Sequence, residues 1–148
     1  MNRSEESISP PLPKIEIQNC PIAESLGVLG KKWTLLIVRD IGWQRADRFR
    51  SLLRTIPGLT PRVLSMRLRE LEEEGILTRV VERKSARVVR WRLTDKGQYV
   101  MPVLIRLTAY GSRWLPSRVF GDKKPRSLED VYSSTVARHP WVTGRLQD

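Results

Sequence analysis

The side chains of this sequence with most chemistry to offer are guanidinium groups, and they are unevenly placed. Between Gln44 and Arg69 stand seven arginines (45, 48, 50, 54, 62, 67 and 69) against the single Asp47. Between Arg79 and Arg92 stand six cations (79, 83, 84, 87, 90 and 92) against Glu82. The 148 residues include 27 Lys and Arg and 16 Asp and Glu, and these two windows hold all of the +11 net charge. Such a balance suits a polyanion, either nucleic acid or an anionic membrane face. Concentration into two windows is what a phosphate-binding footprint needs.

Other chemistries are poorly served. The one cysteine, Cys20, excludes an intramolecular disulfide and a Cys-based zinc site. The one histidine, His139, excludes a multi-His metal centre. Catalysis needs a base, nucleophile or metal gathered with its partners; no such constellation is visible, so neither an enzyme nor a cofactor or metal is expected. No apolar run approaches the ~18 residues of a membrane span. Residues 1–20 lack the apolar stretch of a secretory signal. A reducing cytoplasm is the expected compartment.

The elements that must position the arginines follow from periodicity. Leu26, Leu29, Trp33, Leu36, Ile37 and Ile41 recur at helical steps, with Gly27 and Gly30 expected to divide the stretch into a short helix and a longer one. Phe49, Leu52, Leu53 and Ile56 form a second stripe, ended by Pro57-Gly58. Thr60-Pro61 opens a third as N-cap and first helical position; Val63, Leu64, Leu68 and Leu71 continue it to Gly75. The period then becomes two. Val89, Trp91 and Leu93 alternate with Arg90 and Arg92, residues 76–83 supply a partner strand, and residues 84–87 form the tip. Helical spacing returns after Thr94 with Val100, Val103, Leu104, Leu107, Tyr110 and Trp114; Pro102 is expected to bend that helix.

The predicted fold is mainly α with a small β-hairpin, a winged helix-turn-helix ending in a long helix. Residues 47–74 are the helix-turn-helix, and residues 20–115 form the domain. Residues 1–19 read as a flexible arm. Residues 116–148 read as an extension of loop composition with one short helix. On the third helix, at about 3.6 residues per turn, Leu64, Leu68 and Leu71 share one side, while Arg62, Ser65, Met66 and Arg69 share the opposite one. An arginine-bearing outward face at a helix N-terminus fits a major groove. Arg67 lies on the flank, facing phosphate or a neighbouring acid. Glu73, four residues after Arg69, is placed to bridge it. The acidic run Glu70, Glu72, Glu73 and Glu74 should point away from DNA. Arg83, Lys84 and Arg87 at the hairpin tip are placed to reach a backbone or minor groove.

The segments CPIAESLGVLGKKWTLLIVRDI, RFRSLL, PGLTPRVLSMRLRELEEEGIL and WRLTDKGQYVMPVL resemble, in this order, the HxlR-type transcriptional regulators. The resemblance covers residues 20–115. It implies a prokaryotic homodimer related in fold to the MarR group, bound to pseudo-palindromic double-stranded operator DNA. Carried over by position, Thr60, Pro61, Arg62, Ser65, Met66 and Arg69 are the recognition-helix positions and the hairpin is the wing. Arg48 and Arg50 are expected at the DNA backbone. The helix after Thr94 is the dimer-forming one, and the stripe Val103, Leu107, Tyr110 and Trp114 exceeds what one small core requires. Cys20 matches a cysteine that some members use to sense oxidants or electrophiles and others keep as structure. Its place before a helix N-terminus favours the thiolate, with Lys31 and Lys32 near enough in sequence to add to this. The chain departs from the family in three places. Met66 stands where a polar residue is common, Arg90 where a glutamate is expected, and the tail after Pro116 is longer. The same charge would also serve a sequence-neutral architectural nucleic-acid-binding protein.

Overall fold

Four helices come first among the described residues: α1 (Pro21–Leu29), α2 (Thr34–Gly42), α3 (Phe49–Thr55) and α4 (Pro61–Glu73). The computed structural model describes residues 14–82 and 88–132. Residues 1–13 of the expected arm, the tip residues Arg83, Lys84 and Arg87, and residues 133–148 of the extension lie outside the described residues. The strands β1 (Leu77–Glu82) and β2 (Val88–Leu93) form an antiparallel pair, with Leu77 opposite Leu93 and Glu82 opposite Val88. The helices α5 (Asp95–Gln98), α6 (Met101–Trp114), α7 (Pro116–Val119) and α8 (Leu128–Val131) follow among the described residues. The fold is the expected winged helix: mostly helical, with one two-stranded hairpin.

The core gathers one face from each main element. Ile37 and Val38 of α2, Leu52 of α3, Leu64, Leu68 and Leu71 of α4, Leu77 and Trp91 of the hairpin, and Met101 and Leu104 of α6 are all buried. Each such side chain contributes about 1.5–3 kcal/mol on leaving water, so α4 is fixed in rotation by its three leucines. Its ends are set by local chemistry. The Thr60 hydroxyl accepts the Val63 N–H at 3.3 Å, with Pro61 in the first turn. Beyond Glu73, Gly75 adopts a left-handed φ of 69°, which turns the chain into the hairpin. The turn before α4 is crowded. Gly58 has φ 83°, and a Cβ there would lie 3.3 Å from the Trp33 ring. Trp33 itself stands at φ 79°, in a region that a bulky side chain seldom adopts.

Several sequence expectations are corrected. Gly27 does not divide the first stripe; it lies inside α1, and the break falls at Gly30, so α1 and α2 are both nine residues long. The stretch after Thr94 is two helices, not one bent helix. Pro102 lies in the first turn of α6. A proline ring clashes with the carbonyl four residues earlier, which is that of Gln98, the last residue of α5. The apolar spacing therefore runs on across a break that the proline enforces. Residues 116–119 are helical, not loop. Proline is favoured at a first helical position, and a residue before proline is disfavoured in a helix, so Leu115 ends α6 and Pro116 begins α7.

Among the described residues one acidic side chain is buried in the core. The Asp40 side chain is fully buried; its Oδ1 accepts Nε and Nη2 of Arg39, each at 2.6 Å. Its Oδ2 has no hydrogen-bond partner among the described residues. The Asp40 carbonyl accepts the N–H groups of Gln44 and Ala46 at 3.1 and 3.0 Å, which folds the chain towards α3.

Candidate nucleic-acid interface

The outward face of α4 follows from the burial of its leucines. Arg62, Ser65, Met66 and Arg69 are all exposed, as the helical rotation predicts, and so are Thr60 and Pro61 at the start of the helix. Met66 keeps nearly half of its surface, at 46%. Arg48 caps α3 and Arg50 lies in its first turn, both exposed. The structure thus brings the expected α3 and α4 residues to the surface of one helix-turn-helix, whereas the three expected hairpin-tip cations fall outside the described residues.

The arginines differ in freedom. Arg69 Nε donates to Glu73 at 2.8 Å, the bridge expected from their spacing. That hydrogen bond pushes the Arg69 guanidinium to an even higher pKa than usual, with the charge of Glu73 adding to it. Arg67 is held on the flank, with Nη1 on Glu70 at 2.7 Å and Nε on the Lys32 carbonyl at 3.1 Å. Arg79 faces Glu72 at 3.5 Å and lies over the Trp91 ring. Arg90 is tied twice, to Asp47 at 2.9 Å and to Glu82 at 2.8 Å. The Asp47 hydrogen bond is the chief reason its pKa is raised. By contrast, Arg45, Arg48, Arg50, Arg54, Arg62 and Arg92 have no ion-pair partner among the described residues. These unpaired cations are the ones most ready to meet phosphate, because an incoming anion need not displace a carboxylate first.

Arg90 is therefore not a free cation of the hairpin. It fastens the hairpin to the loop before α3. Asp47 takes part with both main and side chain: its carbonyl accepts the Trp91 N–H at 2.8 Å while its carboxylate receives Arg90. A second clamp joins the turn after α1 to α4. Lys31 Nζ meets Glu70 at 3.2 Å, beside the Arg67 contacts. Burial pushes the Glu70 carboxyl up, but the hydrogen bonds from Lys31 and Arg67 outweigh it and hold the group below its ordinary value. Sequence reasoning missed Asp47 and Lys31 as positioning residues. They lie 43 and 39 positions from their partners, and no local spacing rule connects them.

Cys20 is the N-cap of α1 and is exposed. Lys31, one of the two lysines considered as its neighbours, is committed to Glu70. Residues 21–27 of α1 are exposed, with Ile22 at 71%. On α6, Val103, Leu107, Tyr110 and Trp114 are exposed along one stripe, Trp114 at 68%. Among the described residues no cluster of His, Cys, Asp and Glu is arranged to hold a metal ion, and no helix is long and apolar enough to cross a membrane.

The HxlR-like helix-turn-helix family matches residues 28–119, from the end of α1 through α7. Over 96 residues the chain is 36% identical to the HTH-type transcriptional regulator sll1512 of Synechocystis, spanning 65% of this chain and 70% of that protein. Among solved structures it is similar to the reduced form of the transcriptional regulator YodB from B. subtilis, with a TM-score of 0.56 and 32% identity over 65% of this chain and 94% of that one. It is also similar to the redox regulator HypR in its reduced form, with a TM-score of 0.55 and 29% identity over 62% and 90% of the two chains.

Proposed function

Since the chain belongs to the HxlR-like helix-turn-helix family of transcriptional regulators, we propose that it is a homodimer that binds double-stranded operator DNA sequence-specifically. The observation that carries this reading is the exposed face of α4, where Arg62, Ser65, Met66 and Arg69 stand together beyond a capped N-terminus. A helix presented this way enters a major groove with its N-terminal residues against base edges. Arg62 and Arg69 read guanine, and Met66 offers apolar contact to a thymine methyl. Arg48 and Arg50 hold the backbone, and Arg83, Lys84 and Arg87 extend the contact from the hairpin tip.

Dimerisation is supported by two unpartnered apolar surfaces. Val103, Leu107, Tyr110 and Trp114 on α6, with Ile22 and Leu26 on α1, expose large side chains that a second copy would cover. Two copies would present α4 twice to a pseudo-palindromic site. Selection from random duplexes at two salt concentrations tests the whole reading: paired half-sites should emerge, with binding that weakens steeply as salt rises. Pools without recurring sequence would instead establish sequence-neutral architectural binding.

Cys20 is proposed as a redox- or electrophile-responsive thiol. Its exposure at a helix N-terminus supports this, as do family structures described as reduced, oxidised and diamide-treated. With one cysteine per chain, oxidation by diamide would join Cys20 to a partner's thiol or to a small thiol, each sulfur losing one electron and its proton to the oxidant. Diamide should then add mass at Cys20 and release DNA. If a Cys20→Ser protein releases DNA under diamide just as the parent does, the thiol is not the sensor.

A further inference from the structure

The family match ends at residue 119, yet the chain continues in a defined path. After α7 it turns at Lys123, which has φ 57°. Arg126 fixes this turn internally, with Nη1 and Nη2 on the two Asp122 oxygens at 2.9 and 2.6 Å and its guanidinium 4.3 Å from the Phe120 ring centre. The Arg126 N–H then donates to the carbonyl of Ser112, a buried residue of α6, at 3.1 Å. Ser127 and Asp130 close a capping box on α8, which packs against α6. Finally the Tyr132 ring stands 6.1 Å from that of Trp43, tilted by 53°. Trp43 caps the C-terminus of α2, where the chain turns towards α3.

This strap adds a second link between α6 and the end of α2, beside their direct packing. The first turns of α6 are rooted in the core through Met101, Leu104 and Ile105. Beyond Ile105 only Ser112 is buried, and it is the residue the strap bonds. The free half of α6 is thus held from outside, by a segment whose far end rests on the helix leading into the helix-turn-helix.

We propose that residues 115–132 are a positioning strap that fixes the pose of α6 against α2, and thereby sets the separation of the two α4 helices and the half-site spacing a dimer accepts. This rests on the dimeric, DNA-binding reading above. The leverage is sufficient: B-DNA advances about 3.4 Å per base pair, so a swing of a few ångströms at α4 equals one step in spacer length. Tyr132 and Arg126 act in this reading through α2 and α6, the elements they touch.

The test is selection from a random duplex library with the full chain, its Tyr132→Ala and Arg126→Ala variants, and Tyr132→Phe, which keeps the ring. The parent and Tyr132→Phe should select one spacer length. The two alanine variants should select the same half-site sequence, with spacers spread by about one or two base pairs. A sedimentation run on each variant shows whether it remains a dimer. A merely structural strap would lower affinity without moving the spacer. Identical spacing in all four proteins, loss of binding without a spacer change, or unfolding or dissociation of the alanine variants overturns the strap alone. If the parent itself selects no paired half-site, the functional reading falls and the strap falls with it.

Discussion

Single side chains here divide into those that hold the fold and those left for a partner. Asp40 belongs to the first group. Removing Arg39 would leave its carboxylate buried with no counter-charge, and breaking such a pair costs about 3–5 kcal/mol. Arg39→Ala should therefore lower unfolding free energy by about 3 kcal/mol in a urea titration. Gly97 is similarly constrained, because a Cβ there would collide with the Ile76 carbonyl. Arg62 belongs to the second group. Arg62→Ala should cost about 1–3 kcal/mol on a selected site, relax preference at one position, and leave the melting temperature unchanged. Arg69 sits between the groups, because Glu73 already occupies it. Glu73→Gln should release that guanidinium and tighten DNA binding in a fluorescence-anisotropy titration, chiefly at low salt. The exposed face of α4 was legible from sequence because Leu64, Leu68 and Leu71 recur on one side of a capped helix. The Arg69–Glu73 bridge was legible from its four-residue spacing, whereas the engagement of Arg90 was not, because Asp47 and Glu82 reach it only through tertiary contact.

At the level of elements, strong periodicity was readable and short elements were not. The two central helices and the hairpin appear where the alternation of apolar residues places them. The division between α5 and α6 was hidden because the apolar pattern spans it, while α7, four residues long, is too short to carry a period. Caps act on whole elements. Thr60→Ala should cost about 1 kcal/mol of stability and fray the very turn that carries Arg62, so calorimetry and DNA affinity should fall together. The strap should respond to acid. The hydrogen bond from Arg126 holds the Asp122 carboxyl below its ordinary value, and the Ser127 N–H does the same for Asp130. A carboxyl whose folded pKa is lowered stabilises the fold above its unfolded pKa, and that contribution is lost as pH falls through the folded value. The Trp43–Tyr132 contact should therefore weaken on acidification below the usual carboxylate range. An Asp122→Asn protein should lack that part of the fluorescence change.

For the whole molecule, the division of charge and apolar surface matters most. Among the described residues, unpaired arginines crowd the helix-turn-helix and hairpin, with Arg106 and Arg118 on α6 and α7 besides, whereas apolar side chains are uncovered in stripes on α1 and α6 and singly elsewhere. Introducing a carboxylate into the second surface, as in Leu107→Asp, should convert a sedimenting dimer into monomers and lower affinity for a paired site far more than for a single half-site. Helix α1 has a consequence of its own. It contains no buried residue, and an isolated helix of nine residues is marginal in water. Within the chain its end packs against the core through Val28 and Leu29; in the dimer proposed above a second copy covers the rest, so the order of α1 should rise with concentration. On dilution, backbone amides in residues 22–27 should exchange with deuterium long before those of α4 do. At low concentration the first helix, with Cys20 at its N-terminal boundary, should on that reading be mostly unwound.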